Sequence, residues 1–143
     1  MTVEIRRVVE FDGSIFERVG IDVFDAPPRA EYLRDYLSDP SHRMVIATSH
    51  GEIVGQIAAV LHRHPDKPTE LYIDEVAVTP AFQRQGVAQR MMAEMIAWGW
   101  ELGCIDVWLG TETDNESAKA LYARYAEPEP FLMYLWKVHA VDR

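Results

Sequence analysis

The sequence is poor in cysteine and contains no long apolar run. One of its 143 residues is cysteine, so an intramolecular disulfide is excluded and a reducing compartment is expected. No stretch reaches the roughly 18 apolar residues that a membrane span needs. The opening residues MTVEIRRVVE lack the apolar core of a signal peptide. These features predict a soluble, cytoplasmic protein without a membrane partner.

Basic residues are also scarce. The chain has 14 Lys and Arg against 23 Asp and Glu, a formal net charge of −9. A surface this acidic repels phosphate backbones, which excludes a general nucleic-acid binder, and it attracts cations. The excess lies in two acid-rich segments, residues 10–39 with eight acids and three bases and residues 101–129 with seven acids and two bases. They predict either solvated faces that maintain solubility or surfaces that recognise a cation.

Length and periodicity predict one domain, residues 1–143. The 143 residues, 48% of them hydrophobic, are enough for a hydrophobic core, and no repeat or linker divides them. The pattern predicts strands at residues 3–9, 44–49, 52–61, 71–78, 104–109 and 131–138, and helices at residues 13–22, 29–38, 85–102 and 115–125. The expected fold is α/β: a mixed, mostly antiparallel sheet with a central parallel βαβ unit at 71–109 and helices on both faces.

The strongest motif follows the strand at residues 71–78. It reads TPAFQRQGVAQR, with Gln83, Gly86 and Ala88 spaced as Q-x-x-G-x-A. A turn that opens a helix binds anions through free amides and the helix dipole, and Arg84 adds a charge. The motif lacks the Gly-Lys-Ser/Thr ending of a P-loop and the first glycine of the dinucleotide fingerprint. It indicates a pyrophosphate site, the alternative being a glycine that only eases packing in a turn.

This motif resembles the acetyl-CoA-binding motif R/Q-x-x-G-x-G/A of the GNAT N-acetyltransferases. Downstream, Asn115, Ala118 and Tyr122 match that family's second signature, N-x-x-A-x-x-x-Y. The resemblance spans about residues 45–138. The stretches HPDKPTELYIDEVAV and ALYARYAEPEP resemble more particularly the aminoglycoside 3-N-acetyltransferase branch, with a departure at Ala126 and Glu127, where many relatives read G-F. Dimers are common in the superfamily, so a homodimer is compatible with the resemblance.

The resemblance implies an acetyl-CoA site built from both motifs. The backbone of residues 76–78 would pair with the pantetheine arm like an added strand, and the amides of residues 84–88 would hold the pyrophosphate. The implied cofactor-binding residues are Val76, Ala77, Val78, Gln83, Arg84, Gln85, Gly86, Val87, Ala88, Asn115, Ala118 and Tyr122.

Acetyl transfer to an amine needs a neutral amine, a stabilised oxyanion and a proton for the departing thiolate. The resemblance places Tyr122 in the general-acid position, the alternative being a core tyrosine. It also places a carboxylate at Glu75, which would take the amine's proton directly or through water, or bind the amine. Asp74 and Glu75 are consecutive in a strand and should point to opposite faces. Backbone amides of residues 76–78 are the candidates for the oxyanion.

The acid-rich segments correspond to the two sides of the acceptor groove in the resembled family. The candidate substrate-binding acids are Asp22, Asp25, Asp74, Glu112, Asp114, Glu127 and Glu129. The expected function is acetyl-CoA-dependent N-acetylation of a small polycationic amine by direct transfer in a ternary complex, with the 3-amino group of an aminoglycoside as the first candidate. The alternatives are acetylation of a polyamine, a protein lysine or an N-terminal amine, and a non-catalytic acyl-CoA-binding module.

Two further features favour plain structural roles. Cys104 lies in the apolar run CIDVWL, which is typical of a buried small hydrophobe rather than a nucleophile. His62 and His64 lie in the loop HRHPDKP without a third ligand type nearby, which favours an exposed loop. No metal is expected from the sequence.

Overall fold

The computed structural model describes residues 2–9 and 13–140. Glu10 and Asp12 of the first acid-rich segment lie outside the described residues. The structure divides into two compact units, Met1–Gly110 and Thr111–Arg143. Each unit is described by itself.

The first unit contains a five-stranded sheet. Its strands are β1 (Glu4–Arg7), β2 (His42–Ser49), β3 (Glu52–His62), β4 (Glu70–Val78) and β5 (Val107–Trp108), in the order β1-β2-β3-β4-β5. β1 to β4 pair antiparallel, and β5 pairs parallel to β4. The predicted mixed sheet with its parallel βαβ unit is therefore confirmed, although β5 is shorter than the predicted 104–109.

Two α-helices accompany this sheet: α1 (Ala30–Ser38) and α2 (Val87–Glu101). The predicted helices at 29–38 and 85–102 are confirmed. The helix predicted at 13–22 is wrong, because only a single 3-10 turn forms at Gly13–Phe16. Beyond it the chain runs alongside β3, where Gly20 donates its N–H to the carbonyl of Ile53 at 2.8 Å, and this contact is incompatible with a continued helix.

The two helices cover opposite faces of the sheet. On one face Leu33 and Leu37 of α1 pack on a cluster that includes Met44 and Ile46 of β2. On the other face α2 lies so close to β4 that a Cβ on Gly99 would be 2.9 Å from the side chain of Leu71. Because strand residues alternate between faces, this arrangement buries the apolar residues of the central strands from both sides. No described helix is long and apolar enough to cross a bilayer.

The described residues of the second unit contain one helix, α3 (Glu116–Tyr122), within the predicted range 115–125. The strand predicted at 131–138 is wrong. Strand structure requires a ladder partner, and the described residues provide none for this stretch. Its apolar side chains are 67–85% exposed.

Candidate active site

The outer edge of β4 is free along the half of the strand that carries the predicted catalytic carboxylate. β3 pairs with β4 as far as Val78, whereas β5 pairs with it only at Leu71 and Tyr72. In the part of the chain that the structure describes, residues 74–78 therefore have one partner strand. An unpaired edge offers N–H and C=O groups to an extended ligand. The residues predicted to hold pantetheine, 76–78, lie on this edge.

A β-bulge lies at the same place. Ala58 faces Glu75 and Ala59 faces Ile73, so Asp74 is the extra residue of the bulge. The prediction that Asp74 and Glu75 point to opposite faces assumed a regular strand, and a bulge breaks that alternation. Asp74 is exposed and Glu75 is half-buried. Burial raises the pKa of the nearby Tyr36 phenol, and both carboxylates raise it further, so both lie within electrostatic reach of one group.

Glu75 is the centre of an acidic cluster, defined here as Asp25, Asp74 and Glu75. Burial raises the pKa of the Glu75 carboxyl, and the neighbouring charges of Asp25 and Asp74 raise it further. A hydrogen bond from the Gln56 side chain acts in the opposite direction. The cluster combines a carboxyl that holds its proton unusually well with two acids that attract a cation.

Gln56 is a residue that sequence reasoning missed. It is a fully buried amide, and its Nε2 also donates to the carbonyl of Val23 at 3.1 Å. Gln56 thus connects the chain beside Asp25 to the carboxylate of β4. A glutamine inside the apolar run EIVGQIAAVL was the available signal, because buried polar groups need partners.

The loop between β4 and α2 has the geometry of an anion site. Arg84 (φ 61°) and Gly86 (φ 78°) are both left-handed, and such a backbone at a non-glycine residue costs about 1–2 kcal/mol. Strain of this kind concentrates at functional sites. Gly86 is the N-cap of α2 and has no side chain to accept a hydrogen bond from the first-turn amides of the helix, so these amides can donate to another acceptor. Gln83 fixes the loop by donating to the carbonyl of Val78 at 2.9 Å.

Four other residues were predicted to bind the cofactor or the substrate. Of the cofactor-binding residues, Gln85 donates to the carbonyl of Ala81 at 3.2 Å. Val87 and Ala88 begin α2. Asp22 is exposed and has a left-handed backbone with φ 63°.

The second unit holds the second signature. The side-chain oxygen of Asn115 caps α3 by accepting the N–H of Ala118 at 3.1 Å, which explains this asparagine locally. Tyr122 is half-buried at the end of α3, and burial raises the pKa of its phenol. The acids predicted here to bind substrate, Glu112, Asp114, Glu127 and Glu129, are exposed.

The structure therefore brings together Asp25, Asp74 and Glu75 within the first unit, and Asn115, Ala118 and Tyr122 within the second. The joint action of Glu75 and Tyr122 stays a prediction. Cys104 is half-buried, and burial raises the pKa of its thiol.

The chain is similar to known N-acetyltransferases in sequence. The first curated matches include an uncharacterised N-acetyltransferase of Mycobacterium bovis, Mb2688, 31% identical over 70% of this chain, which spans 62% of that protein's length. The N-alpha-acetyltransferase RimI of Mycobacterium tuberculosis is 31% identical over 83% of this chain and 69% of its own.

Solved structures share the fold. An aminoglycoside acetyltransferase, HMB0005, from an uncultured soil metagenomic sample superposes with a TM-score of 0.83 at 24% identity, over 97% of this chain and 100% of that one. AAC(6')-Iy in complex with a bisubstrate analogue superposes with a TM-score of 0.76 at 20% identity, over 96% and 99%. The family model described as "Acetyltransferase (GNAT) family" matches residues 8–126. This chain belongs to the acetyltransferase (GNAT) family.

Proposed function

We propose that residues 1–143 act as a single domain that transfers the acetyl group of acetyl-CoA to an amine of a small polycationic substrate. The observation that carries the proposal is the acidic cluster, in which Asp74 and Glu75 lie on the half of β4 with a free edge and Asp25 lies in the segment before α1. Burial raises the pKa of Glu75, as do the charges of Asp25 and Asp74. A carboxylate with a raised pKa is a better base at neutral pH than an exposed one, and its acidic neighbours attract a cation.

The residues of the first unit fit acetyl-CoA. The free edge at residues 76–78 suits an extended amide-containing arm, and the strained loop before α2 offers unbonded amides to a pyrophosphate. Acetyl-CoA supplies an activated thioester. The chain's own role is to orient it and to offer backbone amides of residues 76–78 to the developing oxyanion.

Proton movement is assigned to two side chains. Glu75 accepts the proton of the substrate ammonium, directly or through water, and so makes the amine nucleophilic. Tyr122 supplies a proton to the departing thiolate, and the raised pKa of its phenol keeps it protonated at neutral pH. Cys104 is the single cysteine, and burial raises the pKa of its thiol, which disfavours an acyl-enzyme. These observations support direct transfer in a ternary complex.

An aminoglycoside is the first substrate to test, because the acidic cluster suits a polycation and HMB0005 and AAC(6')-Iy share the fold. The test is thiol release from acetyl-CoA with a panel of aminoglycosides, polyamines and peptides. Release with an aminoglycoside supports the proposal, and NMR of the product then decides whether the 3-amino group is the acceptor. If none of these amines gives thiol release, the result would favour a non-catalytic acyl-CoA-binding module.

N-terminal acetylation of a protein is the second candidate, since RimI is 31% identical over 119 residues. Release with short peptides that bear a free N-terminus, and not with aminoglycosides, would select it.

Matched variants test the assigned roles. Glu75→Gln should lower kcat/KM about 10²- to 10⁴-fold and remove the low-pH limb of its profile, and Tyr122→Phe should lower kcat over a similar range. Asp25→Asn should raise KM for the amine, whereas Asp35→Asn, an exposed acid of the same segment, should not. Unchanged turnover in Glu75→Gln or Tyr122→Phe would overturn the corresponding role.

A further inference from the structure

Three metal-ligating side chains meet at the other end of β4. His62 ends β3 and Glu70 begins β4, and the two are direct partners across the antiparallel pair. His64 lies in the loop that joins these strands. One ligand atom from each of the three residues lies within 4.8 Å of the others. The β3–β4 hairpin therefore gathers two imidazoles and a carboxylate at its end.

The backbone fixes this cluster more firmly than an exposed loop would. Two of its members belong to paired strand ends, and the rings of His62 and His64 lie 4.3 Å apart between centroids. The side chains of His64 and Glu70 are hydrogen-bonded to each other and are only 14% and 20% exposed. His62 is exposed, which leaves access from solvent.

Two imidazoles and one carboxylate form a donor set of Zn²⁺ sites that keep a position open. With ligand bonds near 2.0–2.1 Å, neighbouring ligand atoms of a tetrahedral site lie about 3.4 Å apart. Metal binding therefore requires the three ligand atoms, which lie within 4.8 Å of one another, to move to that spacing and the His64–Glu70 contact to open. The loop HRHPDKP holds two histidines without a third ligand type, so the sequence predicts no metal, whereas the register of the β3–β4 hairpin brings in a third ligand, Glu70.

We propose that His62, His64 and Glu70 bind a divalent transition-metal ion, with Zn²⁺ as the physiological candidate. The ion fastens the loop at residues 63–69 to the ends of β3 and β4 and keeps water at its remaining positions. Glu70 and Glu75 are five residues apart on one strand, a span of about 17 Å. The metal site is therefore separate from the acidic cluster and takes no part in acetyl transfer.

Calorimetry on tag-free protein, dialysed against a chelator and titrated with ZnCl₂, tests the site. We expect one Zn²⁺ per chain with a micromolar or lower Kd. The variants His62→Asn, His64→Gln and Glu70→Gln should each weaken binding at least 10-fold. His139→Gln, at an exposed histidine of the second unit, should bind like wild type. Far-UV circular dichroism confirms that each variant is folded. His62→Asn is the safest of them because His62 is exposed.

Trp108 offers a second readout. Its ring lies 6.4 Å from that of His62, between centroids. Cu²⁺ or Ni²⁺ at the site should quench Trp108 fluorescence, and Trp108→Phe should remove the quenching but leave calorimetric binding intact. The bound metal should also resist millimolar Mg²⁺, which prefers oxygen ligands.

Three results would overturn the proposal. They are a zinc Kd above about 100 µM in the wild type, binding that survives in His62→Asn and His64→Gln, and loss of binding in His139→Gln. Each is independent of whether the chain acetylates an amine, so failure here and failure of the proposed activity are distinguishable.

Discussion

The two units of the molecule differ in what they bury. Every buried hydrophobic side chain among the described residues belongs to Met1–Gly110. Within Thr111–Arg143 the described side chains are half-buried at most, although the run FLMYLWKV is as apolar as any strand of the sheet. The difference teaches that apolar content does not by itself produce a core. β2 and β3 each lie between two strands of the sheet, and α1 and α2 cover its faces, whereas residues 131–138 have no partner strand among the described residues.

The largest effect should come from removing core volume in the first unit. Ile57 on β3 is fully buried, so Ile57→Ala should lower the free energy of unfolding by about 2–5 kcal/mol through lost apolar burial and a cavity. The matched change Leu135→Ala, at a side chain 85% exposed, should stay within about 0.5 kcal/mol. Urea denaturation measures both. A comparable loss in Leu135→Ala would break the comparison and show that residues 131–138 are covered in solution.

The same contrast explains which parts of the fold the sequence could predict. Local signals predict the turn at His50 and Gly51 and the end of a helix at Gly103. The structure confirms the elements next to them, which are the strands β2 and β3 and the helix α2. The strand at 131–138 was predicted from composition alone. A strand is completed by its neighbour's backbone, which a local pattern does not contain.

The candidate site divides in a similar way. The Gln83–Gly86 loop can be predicted from the sequence because a helix start and a left-handed glycine have local signatures. The sequence does not predict three other features of the two sites: the bulge at Asp74, the hydrogen bond of the Gln56 amide to Glu75, and the pairing of Glu70 with His62 in the hairpin. Each depends on the register between two strands, and a shift of one residue changes which side chains meet.

A smaller effect is expected at the start of α2, where the first unit holds strain. Gly86 has φ 78° and nothing lies within 4 Å of the position of a Cβ. Gly86→Ala should therefore cost about 1–2 kcal/mol through backbone strain alone and should weaken acetyl-CoA binding. Gly110→Ala is the control, because Gly110 also has open space around it and its φ lies outside the left-handed region. Equal unfolding midpoints for the two variants would refute the assigned strain.

In the second unit, the stability of α3 should depend on the Asn115 side chain that caps its N-terminus. Asn115→Ala removes the acceptor for the N–H of Ala118 and should cost α3 about 1 kcal/mol, whereas Asn115→Asp should retain the cap. Hydrogen exchange of the Glu116–Tyr122 amides should quicken about fivefold in Asn115→Ala. Amides of α2 should keep the wild-type rate. Faster exchange in both helices would mean that the two units unfold together and would remove the distinction between them.

The smallest effect concerns the half-buried charge of Glu75 in the first unit. The folded-state pKa of Glu75 is raised by burial and by Asp25 and Asp74, so the folded protein binds this proton more tightly than the unfolded chain. Stability from Glu75 is therefore present below its unfolded pKa, near 4.3, and declines as pH rises through the folded pKa. Glu75→Gln should match wild type at low pH and become the more stable protein as pH rises. Urea unfolding from pH 4 to 8 measures the difference, and the exposed Glu129→Gln of the second unit controls for the change in net charge. A difference that shrinks with rising pH would reverse the sign of the shift and remove the basis for Glu75 as the base.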